Sequence, residues 1–195
     1  MSEMIYIIIG LFVISIVIEL VLSTMKRKAR NQLTTMLLNK EFEEFDRLIN
    51  EKKTKFFVPV FNSLMLQLHK AIMLNDKAEI KSIMKKLNFI KMNEKQKTFF
   101  YSKAFSYYIS NKDHSNVEKY YKLISSCEET PAKRYIEMVY DTVVQHGYKY
   151  IDDAKILLKN ANDEDKINIH LLIANMYENM GDMAQAKAYY GLASE

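Results

Sequence analysis

The side chains that could perform acid–base, metal or nucleophilic chemistry are widely scattered in this sequence. The four histidines His69, His114, His146 and His170 lie 24 to 45 residues apart, so no two form a ligand pair on one helix face. The lone Cys127 excludes both a disulfide framework and a thiolate zinc cluster. With 4 Gly in total, a glycine-rich phosphate loop cannot be built. The sequence therefore predicts no enzyme, no cofactor and no metal site.

Carboxylates do cluster at two places, Asp152 with Asp153 and residues 163–165. Both clusters lie at predicted helix starts, where negative charge is stabilised by the helix dipole. We therefore interpret them as helix-stabilising residues and not as a catalytic pair.

The elements that carry these residues are predicted to be helices. Only 4 Gly and 2 Pro interrupt 195 residues, of which 49% are hydrophobic. A sandwich or barrel of strands needs a turn signal about every ten residues, and this chain has too few. The predicted fold class is all-α.

The amino-terminal segment predicts a transmembrane anchor within residues 1–25. From Met4 to Leu22 the chain reads MIYIIIGLFVISIVIELVL, with Glu19 as its single charge. Nineteen helical residues rise about 1.5 Å each and match a hydrocarbon core of roughly 30 Å. A cleaved signal peptide and a buried core helix are the alternatives, but the preceding MSE has no positive charge. Glu19, near the end of the span, can reach the headgroups or contact a partner in an oligomer.

Four cations follow the apolar segment, and they are Lys26, Arg27, Lys28 and Arg30. Positive charge is retained on the cytoplasmic side of a membrane. The sequence thus predicts a single-pass plasma-membrane protein with its amino terminus outside and residues 26–195 in the cytoplasm. Residues 26–100 hold 17 Lys and Arg against 8 Asp and Glu, while residues 131–195 hold 7 against 10. We expect the basic part to contact anionic lipid headgroups, and we do not expect nucleic-acid binding.

Turn-forming residues recur with a steady period, which is typical of stacked helical hairpins. They are Asn39, Asn75, Asn111, Gly147 and Gly181, at intervals of 36, 36, 36 and 34 residues. A longer apolar helix precedes each turn and a shorter amphipathic helix follows it. The pattern predicts about five hairpins, the first beginning with a helix continuous from Met4 to Leu38.

Capping residues support these boundaries. Pro59 and the pair Thr130–Pro131 mark helix starts, and Asn162 precedes an acidic first turn. Capping boxes are predicted for Asp76 with Glu79, Ser115 with Glu118, and Asp182 with Gln185.

The carboxyl-terminal segment HLLIANMYENMGDMAQAKAYYGLASE resembles a tetratricopeptide repeat, and the best-matching repeat covers residues 167–195. The matching positions are Ala174, Tyr177, Gly181, Ala186, Tyr190 and Ala193, and the same phase recurs upstream at Ala104, Tyr107 and Tyr120. The resemblance implies a tetratricopeptide-like α-solenoid over residues 26–195, in which the first helices of successive hairpins line a groove that holds a partner.

Carrying the groove-facing phase of that family onto this chain gives a set of expected partner-binding residues. They are Asn62, Met65, His69, Thr98, Tyr101, Phe105, Tyr108, Arg134, Glu137, Asp141, Asn168, Asn175 and Glu178. The aromatic members Tyr101, Phe105 and Tyr108 either anchor a ligand or pack between neighbouring helices.

Two functions are therefore expected for this chain. The first is a membrane-anchored scaffold or adaptor that binds a protein partner through the groove on the cytoplasmic side. The alternative is a structural subunit that assembles through its last hairpin, as a homo-oligomer or with another protein, and binds no peptide ligand.

Overall fold

A computed structural model describes the backbone of residues 2–194 and the side chains of residues 19–163 and 165–194. Within residues 2–194 the regular structure is helical and no strand is present, which confirms the all-α fold class. The chain forms two compact units, Met1–Met92 and Asn93–Glu195. The domain boundary predicted after residue 25 lies inside the first helix and stays a prediction.

Unit 1 contains α1 (Ser2–Leu38), α2 (Phe42–Asn50), α3 (Lys52–Phe57), α4 (Val60–Met73) and α5 (Lys77–Phe89). The continuous first helix agrees with the prediction. Its carboxyl-terminal half buries Leu33 and Leu37 against Phe45 and Ile49 of α2, with Val58 in the same cluster. The helices α4 and α5 pack on each other, and α3 packs against α1.

The predicted membrane span, residues 4–22, lies for the most part outside the described side chains, which begin at residue 19. In the part of the chain that is described, no helix has a stretch both long and apolar enough to cross a bilayer.

Unit 2 contains α6 (Glu94–Ser110), α7 (His114–Ser125), α8 (Pro131–Val139), a π-helical segment (Tyr140–Val144), α9 (Ile151–Lys159), α10 (Asp163–Met180) and α11 (Met183–Leu192). The helix α6 packs on α7 and on α8, and α10 packs on α9 and α11. A core cluster joins Met138, Ala154 and Ile173 to Ala174 and Ala186. Because Ala174 and Ala186 are fully buried, their small size lets α10 and α11 approach closely.

The turns repeat at the level of the backbone. Among the described residues, positive φ occurs at Lys40, Asn75, Lys112, His146 and Gly181, so the intervals are 35, 37, 34 and 35 residues. Asn75 and Gly181 have this conformation as the sequence predicts. At the other three turns the positive φ lies one position away from the predicted residue. Asn111, for example, is the C-cap of α6 and its side-chain amide donates to the Tyr107 carbonyl, while Lys112 has the positive φ.

The same pair of hydrogen bonds closes four of the five turns within residues 2–194. The Gly181 amide donates to the Glu178 carbonyl (3.0 Å) and the Asp182 amide to the Tyr177 carbonyl (2.9 Å), which is a Schellman motif. Equivalent bonds follow α1, α4 and α6. The turn after α8 differs because the π-helical segment precedes it and the Gly147 amide reaches back to the Asp141 carbonyl (2.7 Å).

Most of the predicted helix starts are confirmed. Asp76, Thr130, Asn162 and Asp182 each accept a hydrogen bond from a first-turn amide of the helix that follows. The capping box predicted at Ser115 is wrong, because α7 begins two residues earlier and its cap is Asp113, which accepts from the Asn116 amide. A complete capping box that the sequence analysis missed joins Asn93 and Gln96 at the start of α6.

Candidate partner-binding and membrane-facing surfaces

In unit 2 the aromatic residues predicted to line the groove face the second helix of their own hairpin. The Tyr108 ring stacks on Tyr120 of α7 with centroids 5.6 Å apart, and Tyr101 lies 6.1 Å from the same ring. Burial, followed by the effect of the neighbouring Tyr120, raises the pKa of Tyr108 to about 12. Phe105 is 0% exposed and offers no surface to a partner. The contacts of Tyr101 and Tyr108 are packing between α6 and α7.

Polar members of the predicted groove also face their own hairpins. In the fourth hairpin the Arg134 guanidinium donates to Asp153 of α9 (3.0 Å), lies over the Tyr150 ring (4.6 Å) and pairs with Glu137 (3.7 Å). In the fifth hairpin the Tyr190 hydroxyl of α11 contacts Asn175 Oδ1 (2.9 Å) and Glu178 Oε2 (2.7 Å). Burial and then the hydrogen bond with Glu178 raise the pKa of Tyr190 to about 12.

Three further predicted groove positions, Met65, Thr98 and Asp141, are buried in the fold. Asn62 and His69 on α4 are partly buried in unit 1, and Asn168 on α10 is exposed. The phase taken from the resemblance therefore selects mainly the face of each first helix that packs within its hairpin.

A cleft of about 570 Å³ lies in unit 2 between α8, the end of α9 and the start of α10. Its polar lining consists of Tyr135, Asn160, Asn162, Asp165 and Asn168, and its apolar lining consists of Ala132, Leu157, Ala161 and Ile169. Burial and then the nearby Asp165 charge raise the pKa of Tyr135, so its hydroxyl is a neutral hydrogen-bonding group at pH 7. Of the predicted groove residues, Asn168 lines this cleft.

The π-helical segment joins the fourth hairpin to its neighbours in unit 2. The Tyr140 ring stacks on Tyr121 of α7 with centroids 3.6 Å apart, and its hydroxyl donates to Glu118. On the other side, the Asn179 side chain of α10 donates to the Thr142 carbonyl (2.9 Å) and the Gly147 carbonyl (3.0 Å). The sequence does not predict this π-helical segment, because the one extra residue of a π turn leaves no characteristic amino-acid composition.

Asp141 lies in the same segment with its side chain turned inward. It is 8% exposed, and its Oδ2 makes no hydrogen bond to any described residue. The carboxylate packs against Gly147.

Unit 1 carries two groups of exposed cations. Lys26, Arg27, Lys28 and Arg30 are exposed on α1, and their contact with lipid headgroups stays a prediction. The second group, Lys52, Lys53 and Lys55, is exposed on α3. A cleft of about 380 Å³ separates α3 from residues Met25–Gln32 of α1, with Lys28 and Lys53 in its lining.

Among the described residues, no three His, Cys, Asp or Glu side chains lie close enough together to hold a metal ion. Cys127 is buried and its thiol donates to the Leu123 carbonyl (3.4 Å).

No family model matches this chain, and no curated protein and no solved structure resembles it closely enough to count as a match. The interpretation of its function therefore depends on the surfaces described above.

Proposed function

We propose that this chain is a membrane-anchored adaptor whose tetratricopeptide-like hairpins bind a partner protein at the cytoplasmic face of the plasma membrane. The apolar sequence from Met4 to Leu22 and the cations that follow it support the anchor and its orientation. The five turns at intervals of 34 to 37 residues support stacking of the hairpins as a solenoid.

The observation that carries the binding role is the cleft beside Asn168. It lies between α8 and α10, which are the first helices of consecutive hairpins, and in helical-repeat proteins partners bind along such helices. Its lining combines small apolar side chains with a few polar groups, which is the usual character of a ligand-binding cleft. The Asp165 carboxylate and the net negative charge of residues 131–195 favour a partner segment that carries a basic side chain.

Two arginine substitutions test this proposal. Asn168→Arg places a bulky cation in the cleft and should abolish recovery of the partner from crosslinked membranes. The matched control Ser106→Arg adds the same side chain to an exposed position of α6, outside the cleft lining, and should leave recovery unchanged. Equal recovery from both variants would contradict a binding role for the cleft.

The last hairpin favours a second candidate function, in which the chain is a subunit that assembles with copies of itself. Ile167 and Leu171 are exposed one helical turn apart on α10, and Met183 and Leu192 are exposed on α11. Such side chains gain free energy when a second copy covers them. Self-crosslinking that is lost in Leu171→Glu, with no other partner recovered, would favour this subunit over the adaptor.

A further inference from the structure

The short helix α3 presents an unusual combination of exposed side chains. Phe56 is 73% exposed although it is aromatic, and the exposed cations Lys52, Lys53 and Lys55 precede it on the same helix. The opposite side of α3 is anchored in the fold, since Thr54 and Phe57 are buried. These two buried side chains therefore fix the orientation of the exposed face of α3.

The position of α3 along α1 fixes its depth relative to the proposed membrane span. The cleft between the two helices is lined by Met25, Lys28 and Gln32 of α1, so α3 lies beside that part of the helix. At about 1.5 Å per residue, Met25, Lys28 and Gln32 lie about 4.5, 9 and 15 Å beyond Leu22 along the helix axis. The headgroup region extends about 5 to 8 Å beyond the hydrocarbon on each side of a bilayer. The Met25 end of this cleft therefore lies at the level of the headgroups when residues 4–22 span the hydrocarbon.

The chemistry of the exposed face suits that depth. Aromatic and aliphatic side chains on one side and lysines around them are the composition of elements that lie in the membrane interface. The cations of α3 also extend the basic group Lys26–Arg30 on α1, and together they complement an anionic leaflet.

We propose that α3 is a second membrane-contacting element, in which Phe56 inserts into the interface of an anionic bilayer and Lys52, Lys53 and Lys55 bind lipid phosphates. This inference rests on the proposed membrane anchor and extends it. Contact at two points restrains the rotation of unit 1 about α1, so that unit 1 has a defined orientation on the membrane.

The chain contains no Trp, so one substitution supplies a single fluorescent reporter. We would reconstitute full-length Phe56→Trp into vesicles of phosphatidylcholine and phosphatidylglycerol, with and without bromine on the lipid acyl chains. The control is Leu38→Trp, which is also exposed on unit 1 but lies about 24 Å beyond Leu22 along the α1 axis. The proposal predicts that bromolipid quenches most of the emission at position 56 and little of the emission at position 38.

Charge is tested in the Phe56→Trp background. Replacing Lys52, Lys53 and Lys55 by Gln should reduce the quenching several-fold in vesicles that contain phosphatidylglycerol. Replacing the three exposed α5 lysines Lys81, Lys85 and Lys86 by Gln removes the same charge and should leave the quenching unchanged.

Flotation of the same vesicles after an alkaline carbonate wash separates the two proposals. If the chain floats but position 56 is quenched no more than position 38, the role of α3 is refuted and the anchor stands. Phe56 would then be expected to contact a protein surface instead of lipid. If the chain does not float, the anchor and the role of α3 are refuted together.

Discussion

The carboxylate of Asp141 fills the space that a side chain at position 147 would occupy. A Cβ atom on residue 147 would lie 2.6 Å from Asp141 Oδ2 and 2.7 Å from its Cγ, both closer than packing allows. We predict that Gly147→Ala lowers the free energy of unfolding by about 1 to 3 kcal/mol, the usual cost of overpacking, measured by urea titration of the full chain in detergent.

A double-mutant cycle isolates this contact. In an Asp141→Ala background the same Gly147→Ala change should cost clearly less, because the clashing atoms are gone. Equal costs in both backgrounds would show that the backbone of the turn, and not Asp141, requires glycine at position 147.

Two hairpin turns test the repeated backbone geometry. Gly181 has φ of 86° and no atom within 4 Å of where its Cβ would lie, so Gly181→Ala should cost about 1 kcal/mol through backbone conformation alone.

Lys112 has φ of 56° at the equivalent turn, so Lys112→Gly should stabilise the fold by about 0.5 to 1 kcal/mol. Lys112→Ala serves as the control and should change the unfolding free energy by less than about 0.5 kcal/mol. A destabilising Lys112→Gly would contradict the turn geometry.

The hydrogen bond between Tyr140 and Glu118 gives the stability of unit 2 a dependence on alkaline pH. That bond, together with burial, raises the pKa of Tyr140 to about 12 from its ordinary value of about 10. Between these values the folded chain holds a proton that the unfolded chain has lost, so this contribution to stability is complete below about pH 10 and disappears toward about pH 12. Tyr140→Phe should therefore flatten the fall in stability over this interval.

The matched variant for this effect is Glu118→Gln, which removes the charge but keeps an acceptor and should flatten the profile in part. Phenolate absorbance during a pH titration provides a direct reading of the same group. If the highest-pH portion of the tyrosine titration is identical in wild type and Tyr140→Phe, the assigned contact is wrong.

An ion pair between the buried Lys70 and the half-exposed Asp46 joins α2 to α4 in unit 1. Lys70 Nζ lies 2.6 Å from both Asp46 carboxylate oxygens, and Lys70 is 8% exposed. Asp46→Ala leaves the buried ammonium without this carboxylate and should cost about 1 to 3 kcal/mol, the low end because solvent screens the half-exposed pair, whereas Lys70→Met replaces the ammonium with an apolar side chain and should cost less. Urea titration would measure the free energy of unfolding of both variants. A larger loss of stability in Lys70→Met than in Asp46→Ala would contradict the prediction.

The period and the helix boundaries were predictable because they depend on local chemistry. Asn75 and Gly181 accept the left-handed conformation more readily than most residues, and Thr130, Asn162 and Asp182 cap helices with their own side chains. These signals are complete within a few residues of sequence.

Which face of each helix is buried and which is exposed was less predictable, because this depends on contacts between residues that are distant in the sequence. Tyr108 faces Tyr120, and Arg134 faces Asp153, because each first helix is rotated toward its own second helix. The π-helical segment adds a further rotation that no local pattern announces. The cleft beside Asn168 combines residues from three helices and a loop, and of these residues only Asn168 was predicted from the sequence to contact a partner.

Cysteine labelling in intact cells tests the membrane-anchored arrangement most directly. The background chain carries Cys127→Ala. Two variants of it, one with Ser2→Cys and one with Lys112→Cys, would be treated separately with a maleimide that cannot cross membranes. The account predicts that position 2 is labelled in intact cells, that position 112 is labelled only after permeabilisation, and that both variants stay with the membrane after a carbonate wash. Labelling of position 112 in intact cells, or release of the chain by carbonate, would contradict it.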